Sequence, residues 1–494
     1  MDALKIVMIA AEAVPFAKAG GLADVVGALP IELERLGAGV SVVMPRYGSI
    51  DLGRYGFAPY DPFPRGETVV GPDRVPFDVH CGTIPRSNVR AFLIGNDTYF
   101  GRAGIYVDPD TGVDYPDQVD RWIFFQRAAV EFLRAALPGV NIVHCHDHQT
   151  GLVPAYVQRD GGLRQAGSVF TIHNMGYQGL FSRDTLLRAG FAGHDFYPGS
   201  PFEFFGSVNF MKAGIALADL ITTVSETYAR EISHSREFGY GLEGVVAARG
   251  ADVMGILNGI DTEEWNPATD PLIAAHYSAS DLAGKRENKR LLLEEFRFPN
   301  PNLDRPVLAM VSRIDVQKGF DLVAPSLESI LKEDVYFVMI GTGNKQTETA
   351  LGAIAARHPE RAGMVFAYDN AMAHRIEAGA DIFLMPSRYE PCGLSQLYSM
   401  RYGTVPVVRT TGGLADTVPE FDPDAGTGMG FRFGRYETDA LMWAIRRALS
   451  FWQKPDVWRT IMVNGMTADF SWAASARRYL DAYHRVTRRR AVGV

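Results

Sequence analysis

Arg313 and Lys318, five residues apart in VSRIDVQKG, are the first pair in this chain that could do phosphate chemistry. Across a turn they could converge on one diphosphate, because fixed cations stabilise a departing phosphate where no metal does so. The same spacing also suits a solvated basic pair on a loop. A second pattern is a repeat. Gly20-Gly21-Leu22-Ala23-Asp24-Val25-Val26 near the start returns as Gly412-Gly413-Leu414-Ala415-Asp416-Thr417-Val418 near the end. Each stands between an apolar run and an amphipathic helix. Paired glycines let backbone approach a ligand closely, and the unbonded N–H groups of a first helical turn favour an anion. One such turn is an ordinary strand-to-helix connection; two matched copies point to phosphate or sugar contacts.

A third cluster is His144-Cys145-His146-Asp147-His148. Held extended, its three histidines would face one way, a spacing that zinc could use. A turn at Asp147 would break that alternation and leave a polar site at a strand's carboxyl end. His173-Asn174 closes another apolar run and points to the same rim. Gly341-Thr342-Gly343 lacks the third glycine of a dinucleotide fingerprint, since Gln346 occupies that place. The Asp-Pro-Asp triplets at 108–110 and 422–424 lie in turn-rich loops and do not follow a strand. No GxSxG elbow, HExxH or Walker A loop is present.

These groups need a scaffold, and the chain writes one. Predicted strands are Lys5 to Ala10, Val40 to Met44, Val89 to Ile94, Ile142 to Cys145, Ser168 to Ile172 and Leu220 to Val224. A second series follows: Pro306 to Val311, Val335 to Ile340, Met364 to Phe366, Asp381 to Pro386 and Val405 to Val408. Helical periodicity fills the gaps, as in Leu22, Val25, Val26, Leu29, Leu33 and Leu36, and again over Arg121 to Leu137. Strands alternating with helices predict doubly wound parallel sheets with ligand loops at the strand ends. The segment Pro45 to Asp117, rich in Gly, Pro and Asp, reads as an irregular insertion, and Arg488 to Arg490 as a frayed, solvated terminus.

At 494 residues the chain exceeds one comfortable core, so two domains are expected. They are an N-terminal domain over 1–256, a C-terminal one over 257–470, and a final helix over 471–494 that packs on either. With 49 basic against 57 acidic residues the net charge is −8, which excludes the basic footprint of a nucleic-acid binder. No apolar run is long enough to span a membrane. The start, MDALKIVMIAAEAVPFAKAGG, reads as a buried strand and not a signal peptide. Three scattered cysteines without a CxxC pair fit a reducing cytoplasm.

Taken together, these residues resemble the bacterial glycogen synthase and plant starch synthase family. The motifs that carry this are Lys18-Ala19-Gly20-Gly21-Leu22, Gly239 to Val245, Gly255 to Trp265 (GILNGIDTEEW), Glu390-Pro391-Cys392-Gly393-Leu394 and Thr411-Gly412-Gly413-Leu414-Ala415-Asp416. The resemblance implies two Rossmann-like lobes facing across a cleft, the GT-B architecture. It implies retaining transfer of glucose from ADP-glucose to the non-reducing 4-hydroxyl of an α-1,4-glucan, with no metal or other cofactor. Lys18, Gly20, Gly21 and, less directly, Asp24 would contact the donor. Arg313 and Lys318 would hold its diphosphate, and Tyr368 would stack on the base. Glu390 would stabilise the oxocarbenium-like sugar, with Cys392 and Gly393 beside it. Thr411, Gly412 and Gly413 would add backbone donors for phosphate. His173, Asn174, Asp147, Tyr106 and Asn258 would complete the sugar-binding set.

Some positions depart from the family. His148 stands where many members carry Trp, Ala19 where Thr or Val is commoner, and Ala213 where a second glycine is usual. Tyr368 alone leaves ADP and UDP both open. A small-sugar glycosyltransferase of the sucrose- or trehalose-forming kind, a catalytically silent glucan binder and, more distantly, a metal hydrolase built on the three histidines are the competing expectations. The absence of a transit peptide points to bacterial glycogen and away from plastid starch.

Overall fold

The structure, a computed structural model, describes residues 3–492. Met1 and Asp2, part of the chain start read above, lie outside them, as do the last two residues of the 471–494 segment. The chain divides into two compact units: one runs to Gly259 and resumes at Trp472, and the other is Ile260–Ser471. The first junction falls after Gly259, three residues beyond the expected 256, so Asn258 belongs to the first unit.

Among the described residues the first unit has a ten-stranded sheet. Its strands are β1 (Lys5–Ile9), β2 (Gly39–Pro45), β3 (Ala58–Pro59), β4 (Arg65–Val70), β5 (Asp73–Thr83), β6 (Arg90–Gly95), β7 (Ile142–His146) and β8 (Gly167–Ile172). A small three-stranded sheet of β9 (Leu180–Phe181), β10 (Glu203–Phe204) and β11 (Ser207–Asn209) intervenes before β12 (Leu220–Thr223) and β13 (Val253–Gly255) rejoin the large one. The parallel part has the order β13-β12-β8-β7-β1-β2-β6. Its strands are buried on both faces, which is why IVMI at 6–9 reads as an unbroken apolar run and VSVVM at 40–44 is broken only by buried Ser41. The expected irregular insertion instead carries the antiparallel pairs β3–β5, β4–β5 and β5–β6. β4 is only half-buried and begins Arg-Gly-Glu, so its composition hid it.

The last helix, Trp472–Ala491, packs on the helix Gly21–Arg35 and on β8. Trp472, Ala476, Tyr479, Tyr483 and Val486 form its buried stripe. Its basic end is not a frayed tail. Arg489 donates to Asp252 Oδ1 at 2.6 Å and Arg490 to Asp219 Oδ2 at 2.8 Å, ion pairs that the spacing of charges along one helix does not reveal.

The second unit has six parallel strands, β14 (Val307–Val311), β15 (Tyr336–Ile340), β16 (Ala362–Val365), β17 (Ile382–Met385), β18 (Val405–Arg409) and β19 (Phe431–Phe433), in the order β16-β15-β14-β17-β18-β19. Counted along the chain this is 3-2-1-4-5-6, the doubly wound order. The parallel strands of the first unit repeat it, with β13 added at the edge. In such sheets the winding reverses between the first and fourth strands, and the crevice beyond their carboxyl ends binds ligands. The loops at these crevices are those after β1 and β7 in one unit and after β14 and β17 in the other.

Candidate active site

In the second unit the switch point brings together three residues from two loops. After β14 the chain passes Arg313 and enters a one-turn 3-10 helix, Val316–Lys318, capped by Asp315, whose Oδ1 accepts from the Lys318 amide at 3.0 Å. Gly319 follows at φ 81°, and a β-carbon there would stand 2.2 Å from the Pro386 carbonyl oxygen. Only glycine permits that approach. The Arg388 amide, donating to the Gln317 carbonyl at 2.8 Å, fastens the two loops together. As a result Lys318 Nζ lies 2.7 Å from Glu390 Oε2, which also accepts from Ser387 Oγ at 3.0 Å. Glu390 is buried and Lys318 largely so. Arg313 stays more than half exposed, 3.5 Å from Asp315 Oδ2. Tyr368 is exposed as well.

The second Gly-Gly pair has a different reason from the one read in the sequence. Gly412 sits at φ 42°, and a β-carbon on it would come within 2.0 Å of the Glu390 carbonyl oxygen; one on Gly413 would come within 2.1 Å of the Cys392 carbonyl oxygen. The Gly413 amide donates to the Glu390 carbonyl at 3.0 Å. It is therefore committed to holding the Glu390 turn and is not an amide offered to phosphate, which corrects the expectation for Gly413. The helix here begins at Gly412 and ends at Thr417. Gly393 is left-handed at φ 74°, and Cys392 beside it is buried.

The first Gly-Gly pair is not its equal. A β-carbon on Gly20 would meet nothing within 4 Å. Its amide donates to Glu12 Oε2 at 2.9 Å, and the Ala19 amide to the same oxygen. The other carboxylate oxygen of Glu12 accepts from the Tyr106 hydroxyl. Glu12, on the loop after β1 and 2% exposed, thus fills the anion position at the head of the loop. Lys18 Nζ lies 2.7 Å from Asp24 Oδ1. The Tyr106 backbone is placed in turn by Gln118, which donates to its carbonyl at 3.1 Å, and by buried Arg121, which holds Gln118 Oε1 at 2.6 Å and the Ile105 carbonyl at 3.0 Å. Glu12 escaped the sequence reading. A lone carboxylate after a first strand carries no pattern; its position two residues beyond Ala10, at the switch point, is the only signal.

After β7 the strand ends at His146, and Asp147 turns at φ 56°, a strained value for a non-glycine residue that often marks a functional position. Asp147 Oδ1 accepts from the His173 amide at 2.8 Å, and the Asn174 amide also bonds its carboxyl. Burial pushes that carboxyl up to about 7, with Glu12 adding to the rise and the two amides opposing it. His144 and His146 stay side by side but take different partners, Thr171 and Tyr483 for the first and His173 for the second, while His148 turns away to the Tyr177 carbonyl. Among the described residues no group of three or more His, Cys, Asp or Glu could hold a metal ion. The Asp-Pro-Asp triplets close Asx turns, with the Asp110 and Asp424 amides donating to Asp108 and Asp422. Asn258 is buried, and its Oδ1 has no partner among the described residues. A cavity of about 410 Å3 in the same unit is lined by His148, Tyr177, Gln178, Phe181, Phe204 and Tyr240 among others. Aromatic faces with a few polar groups suit a sugar.

Residues 5–248 match the family model described as starch synthase catalytic domain, and residues 293–461 the one described as glycosyl transferases group 1. The glycogen synthase of Koribacter versatilis is 42% identical over 99% of this chain and 99% of its own. The chain belongs to the glycogen and starch synthase family. The glycogen synthase of Thermotoga maritima, also 42% identical, aligns over 97% of this chain and 98% of its own. Among solved structures, the catalytic domain of starch synthase IV from Arabidopsis thaliana, bound to ADP and acarbose, matches with a TM-score of 0.90 and 32% identity, covering 99% of this chain and 100% of that one. A sucrose-phosphate synthase from Thermosynechococcus elongatus, at a TM-score of 0.60 and 17% identity, covers 98% of each chain and shares the fold alone. As a member of the synthase family the protein is a glycosyltransferase of two Rossmann-like α/β units.

For this synthase, Glu12 yields a direct expectation. Glu12→Ala removes the acceptor of two loop amides and raises the KM for the nucleotide sugar about 10-fold or more, the loss of charge-assisted hydrogen bonds. Glu12→Gln, whose side-chain oxygen still accepts, retains most of the affinity. Steady-state kinetics on both variants checks this; equal KM values for the two would refute it.

Proposed function

We propose that this protein transfers glucose from ADP-glucose to the non-reducing 4-hydroxyl of an α-1,4-glucan, with retention of configuration and without a metal. The observation that carries this reading is the Lys318 Nζ to Glu390 Oε2 contact of 2.7 Å at the switch point of the second unit. It supplies the two charges that glucosyl transfer needs within one small volume. Lys318, with Arg313, holds the diphosphate and stabilises it as it departs; Glu390 faces the sugar as positive charge grows at its anomeric carbon. Tyr368 stacks on the base. Cys392, Gly393, Thr411 and Gly412 shape the donor pocket, Gly413 by fixing the Glu390 turn.

The first unit contributes Lys18 and Gly21 to the donor, with Gly20 holding Glu12 and Asp24 orienting Lys18. Asp147, His173, Asn174 and Asn258 line the sugar side. Tyr106 acts through Glu12, since that is where its hydroxyl goes. The aromatic cavity beside His148 takes the acceptor glucan. The departing phosphate receives the acceptor's proton, so no second carboxylate is required. Nucleic acid has no place in this reading, given a net charge of −8. No helix among the described residues is long and apolar enough to cross a membrane, and the site of action is the cytoplasm.

Labelled glucose supplied as ADP-glucose or UDP-glucose, with glycogen, maltose or fructose 6-phosphate as acceptor and with or without a chelator, tests each part. Polymer growth from ADP-glucose, undiminished by the chelator and lost in Lys18→Ala, is the expected result. Glycogen binding without transfer from either donor would mean a silent glucan binder, and transfer only to the small sugars would overturn the glucan assignment.

A further inference from the structure

Behind Asp147 lies a row of buried histidines. His144 and His146, two residues apart on β7, face the same side, with ring centroids 4.1 Å apart. His144 is bonded at both nitrogens, through Nδ1 to the Tyr483 hydroxyl at 2.8 Å and through Nε2 to Thr171 Oγ1 at 2.6 Å. His146 is bonded only at Nδ1, which lies 2.9 Å from His173 Nε2; its own Nε2 is buried and has no partner among the described residues. On His173, Nδ1 takes no partner among the described residues and is not sealed in. That nitrogen is the one a ligand can reach.

Burial holds all three imidazoles far below their usual range, His144 and His173 at about 3. Each ring is therefore neutral and carries one proton. The His146–His173 bond contains one proton, so its direction fixes the free nitrogen of both rings. If His173 donates, His146 must carry its proton on Nε2, a buried N–H with no acceptor. If His146 donates from Nδ1, only a lone pair is left bare at its Nε2. An orphaned buried N–H is the rarer arrangement in folded proteins. The second direction places the His173 proton on Nδ1, facing the open side.

We propose that His146 is a positioning residue that holds His173 as its Nδ1–H tautomer, so that His173 presents a hydrogen-bond donor to a sugar oxygen. That His173 meets a sugar rests on the proposed function; the tautomer does not. A donor aimed at an oxygen acts differently from an acceptor aimed at a hydroxyl: it can stabilise a bound oxygen as electron density shifts during transfer.

The test uses the full chain labelled with 15N-histidine. Long-range proton–nitrogen correlation at pH 7.5 separates protonated from unprotonated ring nitrogens, and His173→Asn identifies the His173 signals. A proton on His173 Nδ1 is expected. A proton on Nε2 overturns the proposal whatever the activity. In His146→Phe the His173 tautomer is expected to change and kcat to fall about 10²-fold, while the KM for the donor stays within about 3-fold. His146→Asn, whose amide can still donate to Nε2, is expected to restore both. Should His146→Phe fail to fold, the unmodified protein's spectrum still decides. A protein with Nδ1–H on His173 but no glucosyl transfer would keep this proposal and sink the function.

Discussion

Glu390→Gln lowers kcat about 10³-fold and leaves the affinity for ADP nearly unchanged. The carboxylate is buried, pinned by Ser387 Oγ and Lys318 Nζ, and is aimed where the proposed reaction builds positive charge. Neutralising it removes an interaction realised mainly in the transition state, so the loss falls on kcat. Lys318→Met behaves differently. It removes a phosphate cation, and so weakens ADP binding, and it also strands a buried carboxylate, costing about 3 kcal/mol of stability. The double variant Lys318→Met/Glu390→Gln regains that stability and none of the activity, since the two groups are directly coupled. Pre-steady-state turnover, ADP titration and urea unfolding on the three variants separate these outcomes. An unchanged kcat in Glu390→Gln would remove Glu390 from the chemistry.

The second large effect is with pH. His144 and His173 titrate at about 3 in the folded first unit, and burial also lowers His146. Unfolded, each returns to about 6.5. Below that value the unfolded chain binds protons that the folded one refuses, so stability is full above about pH 6.5 and falls as the pH drops toward 3. At pH 5 the loss is about 2 kcal/mol per histidine. Asp147 acts in the opposite sense. Its carboxyl, raised to about 7, is protonated more readily folded than unfolded, and it offsets roughly one of the three protons across this window. A net fall of about 3 kcal/mol between pH 6.5 and 5 is therefore expected. Urea unfolding followed across that range measures it, and in His144→Asn the slope should lessen by one proton. A flat profile would mean that the histidine row is solvated.

The sheets were legible because their strands are buried on both faces and write themselves as unbroken apolar runs such as IFLM at 382–385. The edge hairpin β4–β5, half-buried and interrupted by Gly66 and Glu67, was not. Arg313, Lys318 and Glu390 were named from loops whose positions the sheet order explains. Other features needed the third dimension. Nothing local says that Gly412 and Gly413 are small to admit the Glu390 and Cys392 carbonyls, because those partners lie about twenty residues away in the chain. Glu12 stayed silent because its three donors come from two separate loops. Arg489 and Arg490 looked like a loose terminus because Asp252 and Asp219 are more than 200 residues distant.

The first unit is closed by the last helix of the chain, whose Tyr483 completes the histidine row. A ribosome makes the first 259 residues and then the whole of the second unit before it reaches Trp472. At about 5–20 residues per second that interval lasts roughly ten to forty seconds. For all of it the nascent first unit waits with the seat of the helix bare and His144 uncovered, while the second unit, being contiguous, needs no later segment to complete it. Vulnerability to aggregation and chaperone dependence should therefore concentrate in the earliest-made half, and a circular permutant that begins at Trp472 and runs into the old start should shed it.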